Sequence, residues 1–269
     1  MTELNIKTRL LGALSSVSSD RDLRQKYDQI HAAGKKHILR NNVEPDKLGG
    51  KRVYSVNLLI ALECQMPIEI RAAIARAQQT LAQADPGLVL SPSDTLHACV
   101  FTLSPSFRKQ LINPATGQFY EDGIYDGENF CAGNANGYSE ILRRTLSKTS
   151  SFELEFAGIF ATPEAVCIQG FDGGLLNLLR ASLLTAFEAA GLRTPDWQAN
   201  IAHLTIARYK QPLQNPEFFL TTVERLRTAD FGTLNIDKFY LVKEHRTYLS
   251  EKTIIEELPV RSASLFPPQ

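Results

Sequence analysis

The sequence predicts an α+β domain of two similar lobes, preceded by a helical extension. Three observations carry that expectation. A strand, a helix and a second strand follow one another in the first half, and the same order returns in the second half. The strand closing each half carries a histidine, a spacer and a small hydrogen-bonding residue: His97-Ala98-Cys99 within Thr95–Leu103, and His203-Leu204-Thr205 within Asn200–Tyr209. The length of 269 residues, with 43% hydrophobic and 22% charged residues, suits an ordinary globular fold.

Residues 1–48 read as the extension. Ser19 with Asp22 three positions on makes a helix start, and Leu23, Tyr27, Ile30 and Ile38 recur at roughly helical spacing. Asn41–Asp46 and Gly49-Gly50 end it. His31 and His37, beside Lys35 and Lys36, are expected on a solvated face. The core is expected over 50–260. Val53–Leu62 is a strand, Pro67 opens a helix with the stripe Ile70, Ile74, Ala77 and Leu81, and Asp85-Pro86-Gly87 stops it before the His97 strand. Residues 104–150 form an insertion between the halves. Gln118–Gly127 mixes turn formers with aromatics, and Tyr138–Leu146 is helical. A loop of this length serves as a lid or binding loop, or packs as a surface excursion.

In the second half, Phe152–Phe160 and Val166–Gln169 are strands. Asp172 caps a helix bearing Leu175, Leu176, Leu179, Leu183 and Phe187, which Gly191 closes before the His203 strand. Asn215-Pro216 starts another helix through Phe219, Val223 and Leu226. Leu234–Val242 and Thr253–Leu258 are closing strands, His245 falls in a turn, and 261–269 is a tail.

A strand alternates its side chains between two faces. His97 and Cys99 therefore share a face, as do His203 and Thr205, while Leu96, Ala98, Val100, Ala202, Leu204 and Ile206 point the other way. Two of the five histidines thus occupy matched places 106 residues apart. Histidine exchanges protons near neutrality, its unperturbed pKa being about 6.5, so such a pair suits general acid and base work. Thr205 would donate to an anionic oxygen, and Cys99 would do so more weakly, since a thiol is a poor donor. Alternation puts Tyr209 on the face of His203 and Thr205, and Arg208 on the other. Tyr54 and Tyr248 are candidates for stacking on a base.

The 29 basic residues are balanced by 29 acidic ones, which argues against a long phosphate-binding track and for a small nucleotide or an RNA end as partner. Cys64, Cys99, Cys131 and Cys167 are widely spaced, with no Cys-x-x-Cys, and read as reduced thiols of a cytoplasmic protein. There is no Gly-rich phosphate loop, no Ser–His–Asp signature and no metal-spaced cluster, so neither cofactor nor metal is expected. No apolar run approaches a membrane span, and no protein partner is implied.

His97-Ala98-Cys99-Val100 and His203-Leu204-Thr205-Ile206 resemble the paired motifs of the 2H phosphoesterase superfamily, a histidine, a spacer, Thr or Ser, then an apolar residue. The second copy matches in full, and the first has cysteine at the Thr/Ser position. The resemblance spans roughly 50–260 and leaves 1–48 and 104–150 unexplained. It implies two βαβ-like lobes with antiparallel sheets facing a central cleft. It also implies metal-independent hydrolysis of a 2′,3′-cyclic phosphate or related nucleotide phosphodiester, with His97 and His203 as acid and base. A basic residue near the second motif is common in the family. An RNA-end exonuclease, an end-joining ligase and a nucleotide-binding module with little catalysis are the alternatives.

Overall fold

The computed structural model describes residues 11–103, 135–192, 194 and 198–261, with backbone alone at 52–54 and 135–136. Helix α1 (Asp20–Leu39) begins where Ser19 accepts the Asp22 N–H. It is followed by β1 (Arg52–Ile60), α2 (Ile68–Ala84), β2 (Leu88–Leu90) and β3 (Ala98–Thr102). After helix α3 (Ala135–Leu146) come β4 (Phe152–Ala161), β5 (Ala165–Phe171), α4 (Leu175–Ala189) and β6 (Ala202–Tyr209). Helix α5 (Pro216–Leu226) and strands β7 (Asp230–Ile236), β8 (Lys238–Arg246) and β9 (Glu251–Pro259) complete the chain.

Strands form two antiparallel sheets, one of four strands in the order β3-β1-β8-β9 and one of five in the order β2-β6-β5-β4-β7. Each half of the chain thus places its histidine motif in a different sheet. One face of each sheet enters the main core, through Leu58, Ile60 and Phe101 in the first and Phe156, Ile168 and Leu204 in the second. The opposite faces carry two smaller clusters: Leu59, Tyr240, Val242 and Leu249 on the first sheet, and Phe160, Cys167 and Phe171 on the second.

Helix α1 closes over that second cluster with Leu23 and Tyr27. The Tyr27 hydroxyl accepts from the Gly170 N–H at 3.1 Å and donates to the Ala202 carbonyl. A Cβ on Gly34 would lie 2.1 Å from the Ala161 carbonyl oxygen, so glycine lets α1 approach the sheet. The extension is therefore built into the second lobe.

Three expectations need correction. His31 is buried, not solvated: it follows Tyr27 by one helical repeat on the inward stripe, accepts from the Ala161 N–H at 3.3 Å, and contacts Glu224 at 3.2 Å. Leu234–Val242 is not one strand. Asp237 separates β7, in the second sheet, from β8, in the first, so the chain changes sheets there. His245 lies on β8 rather than in a turn, with Nε2 2.9 Å from the Thr253 hydroxyl. Cys131, the segment Gln118–Gly127 and the tail after residue 261 lie outside the described residues.

Candidate active site

The two motif segments are built alike, beyond the letters of the motifs. From His97 to Thr102 the side chains run partly buried, buried, partly buried, buried, buried, partly buried, and from His203 to Arg208 they repeat that order. A bulge explains each break in alternation. Leu58 pairs Phe101 and Leu59 pairs Cys99, leaving Val100 as the extra residue of β3. Val166 pairs Ala207 and Cys167 pairs Thr205, leaving Ile206 as the extra residue of β6. A bulge turns every later side chain of a strand over. Thr102 thereby joins the face of His97 and Cys99, and Arg208 joins that of His203 and Thr205.

Each bulged residue has its carbonyl held by a helix from the other half. Arg180 of α4 donates through Nε to Val100 O at 2.8 Å, and Gln78 of α2 donates to Ile206 O at 2.9 Å. Arg180 is 1% exposed, and its other donors reach Cys99 O (3.1 Å), Ile201 O (3.0 Å) and Asn177 Oδ1 (2.7 Å). One guanidinium therefore fixes the first motif strand against the approach to the second.

His97 stands just before β3, after a single 3₁₀ turn at Ser93–Thr95. Its Nδ1 lies 2.8 Å from the Thr95 carbonyl, which can only accept. Nδ1 therefore carries the hydrogen, and Nε2 is left for chemistry. His203 packs edge-on against Phe160, with 6.2 Å between ring centroids. Burial lowers the pKa of both rings. His97 is also lowered by Arg208 and Lys252, against the raising effect of its Thr95 bond. His203 is brought down to about 4 by burial, then by His97, Arg180 and Arg208. His97 thus acts on His203, and Arg208 acts on both rings.

The Cys99 sulfur lies 3.5 Å from the Thr102 hydroxyl, against the Leu59, Tyr240, Val242 and Leu249 cluster. Burial raises its pKa and keeps it a neutral thiol. The Thr205 hydroxyl lies 3.6 Å from the Cys167 sulfur, whose pKa burial raises to about 11. Arg208 rests on the Tyr248 ring, 3.8 Å from its centroid. Lys252 donates to the Asp94 carbonyl at 2.6 Å, in the approach to His97.

His97, His203, Thr205, Cys99, Arg208 and Tyr248 therefore belong to one region, and Tyr209 does not. Tyr209 is fully buried, meets Phe219 edge-on with 6.0 Å between ring centroids, and donates to Thr162 O at 3.1 Å. The Ile206 bulge is the reason: it sends residue 209 to the core and residue 208 to the face of His203 and Thr205. The Tyr54 side chain lies outside the described residues. Gln78, Arg180 and Lys252 are not among the residues that the sequence singles out. Arg180 had a signal, since Asn177 and Arg180 interrupt the apolar run that opens α4, Leu175 to Ala181. Among the described residues no group of three or more His, Cys, Asp or Glu is arranged to hold a metal ion. No helix among them is long and apolar enough to cross a membrane.

Two antiparallel sheets, each carrying one histidine segment, agree with the two-lobed fold that the motifs led one to expect. By sequence, no family model and no curated protein matches the chain. Solved structures do. TT0787 of Thermus thermophilus is similar at 20% identity and TM-score 0.52, over 78% of this chain and 99% of that one. A phosphoesterase is similar at 16% identity and TM-score 0.47, over 77% and 99%. Escherichia coli LigT complexed with 3′-AMP is similar at 15% identity and TM-score 0.46, over 77% and 98%. At 20% identity the likeness to TT0787 is one of fold.

Proposed function

We propose that the protein is a metal-independent phosphodiesterase that opens a cyclic phosphodiester in a nucleotide or at an RNA end, a 2′,3′-cyclic phosphate or a close relative. The observation that carries this reading is the duplicated strand: His97, Cys99 and Thr102 on one sheet answer His203, Thr205 and Arg208 on the other. One histidine takes a proton from water, and the other gives one to the departing oxygen. Thr205 and Arg208 hold the non-bridging oxygens, where negative charge must be steadied, and Cys99 adds a weaker thiol donor. The nucleotide class comes from the resemblance of the two motifs. The depressed pKa values of the two histidines also fit an anion as substrate, because a bound phosphate favours the protonated ring that burial by itself disfavours.

The test is a panel of 2′,3′-cyclic nucleotides and RNA ends assayed in EDTA, reading the position of the product phosphate. Turnover in EDTA is expected. Loss in EDTA with recovery on a divalent ion would refute the mechanism. The pH dependence of kcat/KM follows from the depressed pKa values. One ring must be neutral and its partner protonated in the free protein, so kcat/KM should peak on the acid side of 6.5. The kcat optimum should lie at higher pH, since bound phosphate raises both rings. A kcat/KM rising steadily from pH 5 to 9 would remove the histidine pair.

Cys99 gives a separate test. Cys99→Thr is expected to keep or raise turnover, since a hydroxyl donates better than a thiol, and Cys99→Val to lower it. A hydrogen bond to a charged group contributes about 1.5–3 kcal/mol, and a thiol supplies less, so the deficit of Val should stay under about a hundredfold. Val active and stable with Thr impaired would instead make Cys99 a packing residue of the Leu59–Val242 cluster.

A further inference from the structure

The turn between β8 and β9 contains two consecutive non-glycine residues in the left-handed region, Tyr248 at φ 62° and Leu249 at φ 56°. Side chains bearing a Cβ rarely adopt that backbone unless their surroundings impose it. Here several elements do. The buried Glu244 carboxylate accepts the Leu249 N–H at 3.0 Å and the Ser55 hydroxyl at 2.6 Å. The Thr247 hydroxyl donates to the Leu48 carbonyl, and its N–H to Lys51 O at 3.0 Å. The Tyr248 hydroxyl donates to Asp46 at 2.7 Å, and the Asp46 N–H is itself held by Tyr209 O at 2.7 Å. The product of this bracing is a ring set flat under Arg208, 3.8 Å from its guanidinium carbon.

We propose that Tyr248 is a positioning residue of the phosphate site, a fixed platform that keeps the Arg208 guanidinium aimed into the cleft before an anion arrives. The inference rests on the reading of the cleft as a phosphodiester site. An aromatic face suits this task better than a carboxylate. A carboxylate would orient Arg208 but neutralise it and occupy the same N–H fork that a phosphate needs. A ring attracts the cation through its quadrupole and leaves the in-plane donors and the full charge for the ligand. It also removes in advance the rotamer freedom that a long arginine would lose on binding. Asp46, at the end of the N-terminal extension, holds the platform's hydroxyl, which gives that extension a part in the site.

The experiment compares Tyr248→Leu, Tyr248→Phe and Tyr248→Gly in the full chain. It reads inorganic phosphate affinity and the ring-proton NMR titration of His203, whose pKa Arg208 helps to depress. Leu removes the ring. Gly removes it too but suits the left-handed backbone, so one of the two should fold. Without the ring, phosphate affinity is expected to fall roughly tenfold, the usual strength of such a stack. His203 should titrate above its value in the parent, as the cation swings away. Phe keeps the ring and should retain the parent titration and most of the affinity. A folded Leu or Gly variant with parent affinity and titration would overturn the proposal. So would a Phe variant as impaired as Leu, since the Asp46 bond would then be what matters. Neither readout needs turnover. A shifted titration without any hydrolysis by the parent sinks the enzymatic reading alone, and hydrolysis with an unshifted titration sinks the platform alone.

Discussion

Replacing His97 or His203 by alanine is expected to lower turnover about 10²- to 10⁴-fold in each case. The double variant should lose far less than the product of the two, because half of an acid/base pair has no work to do alone. Phosphate affinity should fall much less than turnover, since Thr205 and Arg208 remain. Folding should survive, because both rings are only partly buried and neither belongs to the main core. The sign of a stability effect can also be stated. The folded pKa of His203, about 4, lies below the unfolded value near 6.5, so between those values the unfolded chain binds more protons. The parent should therefore lose stability as the pH falls from 6.5 toward 4, and His203→Ala should lose less over that window. Thermal unfolding at pH 7 and pH 5 reads this. A folded single variant with near-parent turnover would make that histidine structural and end the pairing.

The other large effect is expected at Arg180, which holds the backbone of the two motif segments rather than touching the reacting groups. Arg180→Met removes a buried guanidinium that satisfies Val100 O, Cys99 O, Ile201 O and Asn177 Oδ1. An acceptor left buried without its partner costs about 1–3 kcal/mol. Release from holding a charge in a low-dielectric interior offsets part of the total. A net loss of about 3 kcal/mol or more is expected, a fall in Tm on the order of 10 °C for a chain of this size. Turnover measured well below that Tm should fall as well, because the carbonyls of the first motif strand lose their clamp and Cys99 its setting. Arg180→Lys should not rescue, since a single ammonium cannot reach acceptors spread over three segments. Unchanged Tm and turnover in Arg180→Met would show that neither strand depends on the clamp.

The sequence by itself determined a good deal. The periods of 2 and 3.6 located most elements, the repeated strand–helix–strand order announced two lobes, and alternation put His97 with Cys99 and His203 with Thr205. The Ser19 start of α1 and the Asp172 contacts before α4, to Gly174 N at 3.1 Å and Leu176 N at 2.7 Å, were equally local. These features depend on neighbours a few residues away, and neighbours are what a sequence displays. The extra residues Val100 and Ile206 are a different matter. Nothing local marks them, because a bulge is a mismatch of register with another strand, here β1 and β5. Its freed carbonyl is satisfied from 80 residues away by Arg180 and 128 residues away by Gln78. Uninterrupted alternation therefore put Tyr209 on the face of His203 and Arg208 on the other, and the folded sheet reverses both. His31 followed the same rule, its burial decided by α1 lying on β4 rather than by the lysines beside it. Tertiary structure decided which cation faces the histidines, because only the pairing of distant strands sets which way a side chain points after a bulge.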